Sequence, residues 1–244
     1  MRFKRLIVVL AGLCLVAVPG LPAHAAGGPA ESWAPVVERA AASTPLNLSD
    51  SPAPVGPHTQ IFDTATSPFV PDTPNQGWWS TDNDNYPLNA NYVVGGQCGG
   101  SEFRNFFTFD LRSLDKRIVS ASLRINTREM VGQPLETLRL HDVTTDPERL
   151  NSRLGRDEAV FADLGTGKVY GTYTLSTEQD DVVVELKLNR KAVRALNRAQ
   201  GDFFSIGGRL VSLGSHTPGV EEQFMFSNSS RAETVQLVTQ TRAR

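Results

Sequence analysis

Cysteine and histidine are scarce in this chain, with 2 and 4 residues in 244. Cys14 lies in the N-terminal apolar segment, so once that segment is removed Cys98 stands alone. One thiol closes no internal disulfide, and stability has to come from a buried core. The roughly 185 residues after position 58 are enough to build one. Outside the first 25 residues the histidines are His58, His141 and His216, with no pair at metal-ligand spacing. HExxH and GxSxG are missing, which removes the zinc-protease and nucleophile-elbow readings. Apart from the N-terminus, no apolar run approaches the about 20 residues of a membrane helix. Basic clusters are few, and the densest, Arg190-Lys191-Arg194-Arg198, reads as the solvated face of a short helix. No repeat is visible, which sets aside propellers and solenoids.

What is present begins with a secretory pattern. Arg2, Lys4 and Arg5 precede the apolar stretch Leu6 to Val18, and Ala23-His24-Ala25 follows as a small-x-small site. The expectation is a signal peptide over 1–25, cleaved before Ala26, and a mature chain that is secreted, extracellular and not membrane-bound. Lipidation at Cys14 is disfavoured, because Leu13 stands where a small residue is wanted. Cleavage takes three of the 24 basic residues and none of the 26 acidic ones, so the net charge moves from −2 to −5. An acidic chain of this kind argues against nucleic acid as the partner. Residues 26–58 are rich in Ala, Pro, Ser and Gly and read as a flexible linker or arm. Residues 59–244 then form a single domain.

That domain alternates. Val119, Ala121, Leu123 and Ile125 interleave with Ser120, Ser122, Arg124 and Asn126, the period of two expected when one strand face is buried. Strands are expected at Gln60–Phe62, Phe103–Leu111, Arg117–Thr127, Leu135–Val143, Val160–Phe161, Val169–Leu175, Val182–Leu188, Phe203–Leu210, Gln223–Ser227 and Thr234–Thr239. Ser67–Asn91 is expected to be an irregular stretch. One short helix is expected over about 189–199, capped by Asn189 and stopped by Gly201. Gly207-Gly208 marks a bulge or a close backbone approach. The pattern predicts an all-β, jelly-roll-like antiparallel sandwich. Within it, His141 is expected at the surface. Arg104 and Asp110 share a strand face and are expected to form ion pairs with another strand.

The run GGSEFRNFFTFDLRSLDKRIVSASLRINT resembles the opening of bacterial secreted sandwich domains of the carbohydrate-binding-module-like, DNRLRE type. Arg104, Phe109, Asp110, Leu111, Ile118, Ala121 and Leu123 are the matching positions. The resemblance covers residues 99–127 and implies the fold together with an accessory, non-catalytic role beside enzymes or on cell surfaces. Here the domain is expected to stand alone after its signal.

The candidate chemistry sits in the loop GWWSTDNDNYPLNANY. Trp78, Trp79 and Tyr86, with Tyr92 nearby, offer flat apolar faces for sugar-ring stacking. Asn83 and Asn85, with Asn89 and Asn91, offer hydrogen bonds to hydroxyls. Asp82 and Asp84 offer oxygen ligands to a structural calcium ion, although the EF-hand spacing is absent. Cys98, within GGQCGG, reads as a thiol in a tight turn. The function expected is a non-catalytic module binding a glycan or another cell-envelope or extracellular component. The alternatives are a structural protein that contacts an extracellular protein, and a polymer-degrading hydrolase or lyase. The last needs two apposed carboxylates.

Overall fold

The computed structural model describes residues 57–82, 91–97, 100–152, 155–213, 222–226 and 234–243. The expected signal, most of the arm, Asn83, Asp84, Asn85, Tyr86, Asn89, Cys98 and His216 lie outside the described residues. The elements run β1 (His58–Asp63), β2 (Gln76–Ser80), β3 (Val94–Gln97), β4 (Glu102–Asp110), β5 (Arg117–Asn126), β6 (Leu135–Asp142), α1 (Pro147–Ser152), α2 (Glu158–Asp163), β7 (Val169–Ser176), β8 (Val183–Lys187), α3 (Arg190–Arg198), β9 (Phe203–Leu210), β10 (Glu222–Met225) and β11 (Gln236–Arg242).

They form an antiparallel β-sandwich. One sheet has four strands in the order β1-β11-β5-β8. The other has seven, in the order β10-β3-β4-β9-β6-β7, with β2 also on β4. Residues 105–107 of β4 pair with both β2 and β9, so those two strands flank it on opposite edges. The period of two works as expected in β4 and β6. Phe107 and Phe109, with Leu138 and Leu140, are fully buried against Leu123, Ile125 and Leu237 of the opposing sheet. Each such side chain contributes about 1.5–3 kcal/mol on burial.

Helix α3 forms where the capping signal places it. The Asn189 side chain accepts from the Lys191 and Ala192 N–H groups at 2.8 and 3.2 Å, and Gly201 follows with φ of +83°. Ala192 and Leu196, one turn apart, are wholly buried. Asn197 then pins the helix to β5, accepting from Ile118 N–H and donating to Ile118 C=O, both at 2.9 Å.

Four local expectations are corrected. The described residues hold three helices and not one, since α1 and α2 form between β6 and β7. Val160 and Phe161 belong to α2 and not to a strand. Asp157 caps that helix by accepting from the Ala159 and Val160 N–H groups, and Val160 and Leu164 bury a helical i, i+4 pair. Two adjacent apolar residues specify no period, so only the cap distinguishes the two states. Within the expected irregular stretch, Gln76–Ser80 forms β2, every residue of it buried. On β5 the register slips opposite Gln240 and Thr241, which face Ser120 and Ile118. Val119 is the extra residue of this bulge and is 39% exposed, while Ile118 points inward.

Candidate functional site

Phe106, Thr108, Ser205, Gly207, Arg209, Arg139 and His141 lie on the face of the seven-stranded sheet turned away from the four-stranded one, by the two-residue alternation and the strand register. The segment carrying α1 and α2 covers part of this outer face. Trp79, Phe106, Leu150, Val160 and Leu164 make a second apolar cluster beneath it. Gly207 permits the approach, since a Cβ there would meet the Leu164 carbonyl oxygen at 2.6 Å. Arg104 anchors the far end. Its guanidinium lies 4.0 Å from the Phe161 ring centroid, donates to the Phe161 carbonyl at 3.0 Å and pairs with Glu102 at 2.8 Å. Its ion pair is therefore with its own strand. Asp110 likewise pairs with nearby Arg112, at 2.6 Å, and among the described residues not with another strand.

A groove of about 430 Å³ opens beside α1 on this face, lined by Phe69, Val143–Glu148, Asp202, Phe203 and Ser205. Each wall has a local cause. Ser67 accepts from the Phe69 and Val70 N–H groups at 3.2 Å each, turning the chain so that Phe69 meets Phe203 with ring centroids 4.9 Å apart and tilted by 57°. Arg112 lies over the Phe203 ring at 4.8 Å. It also hydrogen-bonds Asp110 and holds that carboxyl below its ordinary range, against the opposing push of burial.

The opposite wall depends on Asp163. Its carboxylate accepts from the backbone N–H and the hydroxyl of both Thr144 and Thr145, at 2.7 to 3.0 Å. Burial pushes this carboxyl up, but those hydrogen bonds outweigh it and the net shift is downward. Asp146 starts α1 by accepting from the Glu148 and Arg149 N–H groups at 2.9 and 3.3 Å, with Pro147 at the first helical position. Asp202 accepts from the Phe203 N–H at 2.7 Å. Among the described residues Glu148 is therefore the exposed groove carboxylate with no internal hydrogen bond. An aromatic rim beside hydroxyls and carboxylates suits a polar ligand with an apolar ring face.

The tryptophans stand elsewhere. Trp78 is 7% exposed, and its indole N–H donates to Asn91 Oδ1 at 2.8 Å. Trp79 is 2% exposed and donates to the Leu150 carbonyl at 3.1 Å. Adjacent strand residues face opposite ways, so Trp78 shares the side of Asn105 and Trp79 the side of Phe106. The two rings make no common stacking platform, and both are covered. Tyr92 is also buried, against Phe107 and Phe226, with its hydroxyl donating to the Asn126 carbonyl at 3.3 Å.

Asp82 is exposed and accepts from the Thr81 hydroxyl at 3.0 Å. The rest of the calcium proposal and the loop asparagines fall on residues 83–90, outside the described residues. Among the described residues no cluster of three or more His, Cys, Asp or Glu side chains could hold a metal, and no helix is long and apolar enough to cross a membrane.

His141, expected at the surface, is 4% exposed. It does lie on the outer face, but the segment around Leu164–Gly167 covers it. Burial first, then the Arg209 charge, lowers its pKa, while the backbone at Gly167 and Thr166 favours protonation more weakly. Sequence reasoning missed the groove because its walls come from three distant segments. The one local trace is the Asp146-Pro147 helix start. Among known proteins, no family model and no curated sequence matches this chain.

Proposed function

We propose that this chain is a secreted, non-catalytic β-sandwich module that binds carbohydrate or another component of the cell envelope or extracellular space. Contact is made through the groove between Phe69, Phe203 and the Val143–Glu148 wall. The observation that carries the reading is the groove's lining, in which an aromatic pair lies beside Thr144, Thr145, Ser205 and Glu148. A dissociation constant on the order of 1 mM needs about 4 kcal/mol. One aromatic contact with three or four hydrogen bonds, at about 1 kcal/mol each, is of that size. Hydrolysis by the two-carboxylate route needs a second acid. Asp146 and Asp202 are engaged with backbone N–H groups, which favours binding over turnover. The DNRLRE-type resemblance of residues 99–127 supports the same role.

The test is retention on insoluble polysaccharides by wild type and by Phe69→Ala/Glu148→Gln. Retention lost in the variant, with the melting temperature nearly unchanged, supports the proposal. Equal retention by both proteins rules out the groove.

A second reading has its own support. Val182 and Val183, 43% and 57% exposed, lie at edge strand β8, which suits pairing with a protein partner. Failure to bind any glycan, together with a complex lost in Val183→Lys, would favour it.

A further inference from the structure

At the other end of β9 from the groove, two arginines face each other. Arg139 of β6 is directly opposite Arg209, and on its other side it is opposite Thr172 of β7. Thr137 and Thr174 form the adjacent pair on the same face, their hydroxyls 3.4 Å apart. Like charges directly opposite on neighbouring strands work against the sheet. Among the described residues no carboxylate pairs with either guanidinium.

Arg209 makes one long hydrogen bond, from Nη1 to the Gly165 carbonyl at 3.4 Å, and its Nε is buried without an acceptor. Arg139 makes no hydrogen bond among the described residues, and its Nε is also buried without an acceptor. His141, next on this face, is buried, with the backbone of Thr166 and Gly167 beside its ring. The Gly165 contact accounts for one donor of Arg209, at the C-terminal end of α2. It does not account for Arg139, nor for two arginines placed opposite each other across the β6–β9 pair.

Buried N–H donors normally find acceptors. Paired guanidinium forks match the oxygens of a sulfate, phosphate or carboxylate in both spacing and charge. We propose that Arg139 and Arg209, with the hydroxyls of Thr137, Thr172 and Thr174 beside them, form an oxyanion-binding site. It does not depend on the groove's being a glycan site. The ligand class is an oxyanion group, either a free inorganic ion or a group borne by an acidic polymer.

The experiment is thermal unfolding and calorimetric titration of the full chain and of Arg139→Gln. Inorganic sulfate and phosphate at about 10 mM are compared with chloride at equal ionic strength. Dextran sulfate and polygalacturonate follow as polymers bearing sulfate and carboxylate groups. Wild type is expected to gain melting temperature from sulfate or phosphate over chloride. Arg139→Gln is expected to fold at least as well in chloride and to bind at least about tenfold more weakly.

A polymer that binds more tightly than the inorganic ions, with the gain lost in the variant, identifies a polymer-borne group. No such gain identifies the free ion. Arg139→Lys keeps the charge without the fork and is expected to bind several-fold more weakly, which preserves the test if Arg139→Gln fails to fold. Equal responses of wild type and a folded variant, or no binding by wild type, would overturn the proposal. Loss of polysaccharide retention in the groove variant, with oxyanion binding intact, separates the two sites.

Discussion

Replacing Asp163 with alanine removes four hydrogen bonds to Thr144 and Thr145, the residues that shape one wall of the groove. Thr144 is exposed, so water recovers much of what it loses, whereas Thr145 is half-buried and recovers less. A hydrogen bond to a charged group is worth about 1.5–3 kcal/mol, so the Thr145 pair, discounted for partial exposure, sets the loss at about 3 kcal/mol. Asp163→Asn keeps one oxygen for the backbone donors and an amide that can donate to the Thr144 hydroxyl. It loses only the charge, and about 1 kcal/mol is expected.

The acid limb gives a second readout. The folded-state pKa of Asp163 is lowered, net of the opposing effect of burial, by its bonds to Thr145 and Thr144. Its contribution is therefore fully present above the unfolded value of about 3.9 and fades as pH falls through the lower folded value. Urea unfolding at pH 7 and near pH 3 measures both effects. Alanine should cost most of its penalty at pH 7 and less at pH 3. A variant within about 0.5 kcal/mol of wild type at pH 7 lies in the range of ordinary surface substitutions and would mean that Asp163 does not hold the Thr144–Thr145 wall.

Two further predictions concern buried groups. Trp79→Ala should cost about 3–5 kcal/mol, because it empties the cluster under α1 and α2 and strands the Leu150 carbonyl. Thermal unfolding checks this, and a melting temperature close to wild type would mean that the ring is not interior. The His141 ring should titrate below the ordinary value of about 6.5, since burial and then Arg209 and Arg139 disfavour its charge against weaker support from the backbone at Gly167 and Thr166. A lowered folded pKa makes its contribution complete above about pH 6.5 and diminishing as pH falls below that value. An NMR titration of the imidazole protons reads the midpoint directly, and a value above 6.5 would contradict the packing.

The parts of the fold that were legible from the sequence are those whose signal is local. Alternation along β4 and β6 placed Phe107, Phe109, Leu138 and Leu140 inward. Asn189 and Gly201 bounded α3, and Gly207 marked a close approach. The failures have physical causes. His141 lies on the outer sheet face, and parity alone reads an outer face as wet. The prolines and asparagines around Trp79 read as an irregular loop and hide the short strand that carries it outward. A segment from elsewhere in the chain covers that face, and nothing near either residue encodes that covering. Val119 follows the alternation of β5, yet a slip opposite β11 turns it outward, and that slip belongs to the pairing and not to the strand. The groove joins Phe69, the residues around Thr144 and Phe203, which lie far apart in the chain.

Backbone amide chemical-shift mapping during titration with soluble oligosaccharides locates the bound ligand on the protein. Shifts are expected to gather at Phe69, Thr144–Glu148 and Asp202–Ser205 and to leave Trp78 and Trp79 unmoved. Shifts centred on the two tryptophans, with the groove silent, would contradict binding at the groove.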